Sequence, residues 1–137
     1  MIELCVLITL ANQEQYQDAL EYFQQSLSIR EKILKENHPD LSISYANIGQ
    51  VYSSINQPDL TFEYYQKALK GFSDNRTYIF KTIVYQNIAK IFYNKYQLNV
   101  ALNYYQQAFD IFRKSRPVNH PNVIYLEEMI NQLTQTQ

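Results

Sequence analysis

The chain has 137 residues, 46% of them hydrophobic and 18% charged, with a net charge of −1. That is a globular balance, long enough for one domain with a real core, and it excludes a disordered chain. Near-neutral charge also excludes a nucleic-acid binder, which needs a basic face against phosphates. Two Gly and four Pro are too few for a many-turned β protein, so the expected class is all-α.

The first element spans about 2–12, within MIELCVLITLA. It is apolar almost all round, lacks a basic leader and carries Glu3, and it is too short to cross a bilayer. Such a helix wants cover, either from further repeats or from another chain. Cys5, the only cysteine, sits in this run and reads as a buried structural thiol. A lone cysteine builds no disulfide within the chain and fits a reducing, cytoplasmic compartment. A second helix is expected over 16–35, carrying ALEYFQQSL (19–27).

His38-Pro39-Asp40 then opens a helix over 40–55, since Pro suits a first helical turn. Within it Tyr45, Ile48, Gly49 and Tyr52 fall at i, i+3, i+4 and i+7, one face of a helix. Gly49 costs roughly 1 kcal/mol against Ala there, which close approach of a second helix would explain. Asn56-Gln57-Pro58-Asp59 marks a turn, and the next helix (58–72) carries TFEYYQKAL (61–69). Helices over 77–94 and 98–115 repeat the plan with YQNIAKIF (85–92) and ALNYYQQAF (101–109). A last helix over 121–134 follows His120-Pro121-Asn122. It carries Glu127 and Glu128 where earlier units place Tyr and a small or polar residue, and Asn131 in place of the Gly or Ala, and reads as a solvating cap.

The nonapeptides begin at 19, 61 and 101, spacings of 42 and 40. Tyr45-x-x-Ile48-Gly49-x-x-Tyr52 followed by Thr61-x-x-x-Tyr65-x-x-Ala68 resembles the tetratricopeptide repeat, and Tyr85, Ile88, Ala89, Phe92, Ala101, Tyr105 and Ala108 match again. The long period, the HP turn and the Asn before each large-small pair (Asn47, Asn87) resemble the kinesin light chain class. The stretch SDNRTY after the helix 58–72 departs from it, lacking the HP turn.

The resemblance implies one domain over 1–137, a right-handed helical solenoid of three antiparallel helix pairs and a C-terminal capping helix. Repeats are expected at about 2–37, 38–76 and 77–119, with the cap at 120–135. First helices would line a concave groove that holds a peptide or protein, making the chain an adaptor or scaffold. The groove candidates are Asn47, Gln50 and Ser54, then Gln86, Asn87, Lys90 and Asn94. An Asn amide both donates and accepts, so it pairs with the backbone of an extended peptide whatever its sequence. Lys90 is the only cation of the set, so a neutral or mildly polar groove is expected rather than a carboxylate clamp. The alternative is a structural stacking segment, part of a longer array or a homo-oligomer joined through the apolar N-terminal face.

Catalytic signatures are missing. The sequence has no Gly-rich phosphate loop, GxSxG or HExxH. His38 and His120 occupy equivalent turns and read as helix starts, not as metal ligands. Tyr64-Tyr65 and Tyr104-Tyr105 could stack bases but lack basic neighbours. The expectation is no enzyme, cofactor, metal, nucleic acid or membrane.

Overall fold

The computed structural model describes residues 2–73 and 77–136, with side chains from Asn12 onward. The described residues form six α-helices: α1 (Ile2–Ile33), α2 (Pro39–Ser54), α3 (Pro58–Leu69), α4 (Tyr78–Asn94), α5 (Leu98–Ser115) and α6 (Pro121–Gln135). They fall into two compact units, Met1–Gly71 and Phe72–Gln137.

In the first unit α2 and α3 start where expected. Pro39 opens α2, and the His38 Nδ1 accepts from the Asp40 N–H at 3.1 Å, satisfying a donor the helix leaves orphaned. Past Ser54 the chain makes a left-handed C-terminal cap. Asn56 takes φ 59°, its N–H donates to the Ser53 carbonyl, and Gln57 N–H reaches back to Tyr52. Pro58 then opens α3. The core holds Leu20, Leu27, Leu41, Ile48 and Val51, with Tyr16, Phe23, Leu34 and Tyr64 packed against it. Arg30 ties α1 to α2 by donating to Ser44 Oγ at 2.6 Å.

The expected pair 2–12 and 16–35 is instead one helix, α1. The difference lies in residues 11–16. Where α2 and α4 end on left-handed Asn56 and Tyr96, the matching residue is Glu14, and neither Gly nor Pro interrupts Ala11–Tyr16. The α4–α5 turn also lacks both, so their absence does not forbid a turn; in α1 it leaves the i→i−4 ladder free to continue, and it does. The environment expected for Cys5, and Leu7 beside it, lies outside the described side chains.

In the second unit α4 and α5 are joined by the same cap: Tyr96 at φ 59°, its N–H on the Tyr93 carbonyl, Gln97 N–H on Phe92. The core gathers Ala89, Ala101, Tyr105, Ala108, Phe112, Val123, Leu126 and Leu133 from α4, α5 and α6. Pro121 opens α6, with His120 Nδ1 accepting from Asn122 N–H at 3.2 Å, as at His38. The cap reading of α6 holds in part. Glu127, Glu128 and Asn131 are exposed, while its other face is core.

Candidate peptide-binding face

The orientation of α2 is set by close contact. A Cβ on Gly49 would lie 2.7 and 2.8 Å from ring atoms of Tyr65, so this glycine lets the α3 aromatic lie on the α2 backbone. Tyr65 is 1% exposed, and its hydroxyl donates to Gln50 Oε1 at 3.2 Å. Ala89 and Tyr105, both buried, repeat this pairing between α4 and α5. Burial pushes the Tyr105 phenol far above its ordinary range, helped by a hydrogen bond to Tyr125. These two tyrosines do not keep their hydroxyls in water, as seam tyrosines commonly do; both are satisfied inside the protein.

An aromatic trio then repeats. The Tyr64 ring of α3 sits 6.3 Å from Tyr45 and 5.4 Å from Tyr52 of α2. The Tyr104 ring of α5 sits 6.0 Å from Tyr85 and 5.8 Å from Phe92 of α4, stacked on the latter. Burial raises the phenols of Tyr64 and Tyr85. Tyr45 also donates to Glu31 Oε1 at 2.8 Å, and burial with that carboxylate pushes its phenol up to about 12. The trio holds one side of each first helix to its partner. At about 100° per residue, the opposite side carries the expected binding residues.

On α2 that side bears Asn47, half-buried, with Gln50 and Ser54 exposed. Gln50 presents its amide beside the Tyr65 hydroxyl, and Ser54 Oγ donates to the Gln50 carbonyl at 3.0 Å. On α4 it bears Gln86 and Asn87, half-buried, with Lys90 and Asn94 exposed. Lys90 Nζ stands 5.8 Å from the Tyr125 ring centre, a cation–π approach to α6. The structure therefore gathers each set on one helix face within its own unit. Sequence reading missed the apolar end of this face. Ile79 and Ile83 of α4 are 38% and 43% exposed and lie two turns and one turn before Asn87, respectively. The signal was their i, i+4, i+8 spacing with Asn87. Gly71 was missed too: a Cβ there would lie 2.7 Å from the Asn37 carbonyl and collide with Ser42 Oγ.

Such a face offers amide donors and acceptors flanked by apolar side chains, which suits a peptide backbone and its side chains. Among the described residues no three His, Cys, Asp or Glu cluster as a metal site, and no helix is long and apolar enough to cross a membrane.

The Tetratricopeptide repeat family profile matches residues 6–74, and a second profile of that description matches 84–122. A crystal structure of a candidate kinesin light chain of Podosopora anserina, with nearly identical TPR-like repeats, superposes with a TM-score of 0.74 at 18% identity, covering 97% of this chain and 63% of that one. BtubC (BKLC) from P. vanneervenii superposes with a TM-score of 0.75 at 21% identity, covering 98% of this chain and 55% of that one. The chain thus spans about three fifths of the length of the solved structures it resembles. No curated protein matches it. The repeat spacing, the paired helices with their small-residue contacts and the matched profiles agree: the chain belongs to the tetratricopeptide repeat family, and its fold resembles the kinesin light chain class.

Proposed function

We propose that the chain is a protein–protein interaction module that captures a peptide or protein partner on its first helices, as an adaptor or scaffold. Tetratricopeptide repeats generally mediate protein–protein interaction or scaffolding. The observation that carries the finer reading is the recurrence of a half-buried Asn at one register, Asn47 on α2 and Asn87 on α4, each opposite its aromatic trio. In this reading the first helix of each unit, α2 in one and α4 in the other, presents the binding face. The amides of Asn47, Gln50, Gln86 and Asn87 bind the partner's backbone. Ile79 and Ile83 cover its apolar side chains, and Ser54 on α2 and Lys90 and Asn94 on α4 complete each face with polar surface. The helices are preformed, so binding orders only the partner. The module works by equilibrium binding and not by catalysis, in a reducing, cytoplasmic setting that suits its single cysteine.

The test is paired capture from source lysate by wild type and the Asn47→Ala/Asn87→Ala variant, each checked for helicity. A partner held by the wild type and lost by the folded variant supports the reading. Equal recovery by both proteins contradicts it.

A further inference from the structure

A cavity of about 400 Å³ opens in the second unit between the start of α4 and the end of α5. That volume is ordinary for a small-molecule site. Phe72 and Ile111 form its apolar wall. Phe72 is 2% exposed and its ring stacks on Phe80, centres 6.0 Å apart, so this wall is held in place. The polar wall is Lys81 of α4 and Lys114 of α5, and Ser73 and Tyr78 add hydroxyls. Lys81 lies on the trio side of α4, its Nζ 5.9 Å from the Tyr85 ring centre. Lys90 of the candidate peptide face is nine positions on, half a turn around the helix, so the two sites are separate.

The first unit provides a control. Its cleft of about 220 Å³ also pairs the start of a first helix, Leu41 and Tyr45 of α2, with two lysines at the end of a second helix, Lys67 and Lys70. There the chain supplies its own anions: Glu36 lines the cleft, and Glu63 holds Lys67 at 2.9 Å. The second-unit cavity has two lysines and, among the described residues, no carboxylate in its lining. Asp110, one turn before Lys114, accepts instead from the Gln106 amide at 3.0 Å. Among the described residues neither Lys81 nor Lys114 makes an ion pair. Arg113 and Arg116 flank Lys114 in sequence and add to the positive potential. A cleft with cations of one sign and apolar walls focuses that potential on what enters it.

We propose that this cavity binds a small phosphomonoester with a compact apolar body, of the aryl phosphate kind. The phosphoryl group carries close to two negative charges at neutral pH, which the ammonium groups of Lys81 and Lys114 balance. The Ser73 and Tyr78 hydroxyls donate to its oxygens, and the body lies against Phe72 and Ile111. A carboxylate, with one charge, would leave one ammonium without a partner. A bare inorganic anion would leave the apolar wall wet.

The test is an amide chemical-shift titration of the full chain with phenyl phosphate, above the second phosphate pKa of about 6. Saturable shifts are expected at Lys81, Ile111 and Lys114, with Asn47 and Asn87 unmoved. Phenyl phosphate is expected to bind about tenfold more tightly than inorganic phosphate, because its ring buries apolar surface. Lys114 is exposed, so Lys114→Gln keeps the fold and is expected to weaken binding about tenfold. Lys81→Gln/Lys114→Gln is expected to abolish saturation. No saturable shift in the wild type overturns the proposal, as does unchanged affinity in Lys114→Gln. Equal affinity for inorganic phosphate overturns the apolar body in favour of a surface-charge effect. Benzoate bound as tightly as phenyl phosphate overturns the phosphoryl assignment in favour of a carboxylate.

Discussion

At the scale of single residues, small and large side chains meet in register. Gly49→Ala would gain up to about 1 kcal/mol of helix propensity. The new methyl would press on a Tyr65 ring that is buried and held at its hydroxyl by Gln50. Overpacking of this kind costs about 1–3 kcal/mol, so the substitution is expected to destabilise by about 1 kcal/mol net, read by urea denaturation. A stabilised Gly49→Ala protein would show that the contact is looser than described. Tyr45 gives a pH test. Its folded phenol titrates at about 12 against an ordinary 10.0, because burial and Glu31 favour the neutral form. Its stabilising contribution is therefore complete below pH 10 and is lost as pH rises toward 12. Phenolate absorbance should show a late-titrating tyrosine that moves down in Glu31→Gln. No movement would remove Glu31 as a cause.

At the scale of helices, the caps decide where elements begin. His38→Ala removes the acceptor for Asp40 N–H and should cost about 1 kcal/mol, with His38→Asp restoring it, since Asp is a strong N-cap. Wild-type stability of His38→Ala in thermal melts would show that the imidazole does not cap. The sequence made these starts legible because Pro39, Pro58 and Pro121 each sit at a first helical turn. The 3.6-residue spacing of Tyr45, Ile48, Gly49 and Tyr52 likewise identified the packed face of α2. Two things were hidden. The α1 hairpin failed because repeat register marks where a turn belongs without making it: the stretch without Gly or Pro at Ala11–Tyr16 continues as helix, whereas the equally unbroken stretch before Leu98 turns at Tyr96. α3 ends at Leu69, three residues before the expected 72, and the chain then brings Gly71 against the Asn37 carbonyl, a contact that sequence spacing does not encode. The candidate stripe was readable as polar positions opposite the core. Its partnering was not, because the reach of Gln50 to Tyr65 and of Lys90 to Tyr125 depends on side-chain placement.

At the scale of the whole molecule, the repeated letters build core and the varied ones face outward. The candidate stripe carries one cation, so a partner bound there should feel little charge steering. Affinity is expected to change by no more than roughly threefold between low and high salt, because screening acts on exposed charge pairs that this face lacks. A steep salt dependence, followed by anisotropy with a labelled partner peptide, would transfer the site to a charged surface elsewhere. The central claim is that the partner lies on the side of α2 and α4 opposite the aromatic trios. Amide chemical-shift mapping with the captured partner tests it most directly. The account predicts shifts concentrated at Asn47, Gln50, Ile83, Gln86, Asn87 and Lys90. Shifts confined to α3 and α5, with those six unmoved, would contradict it.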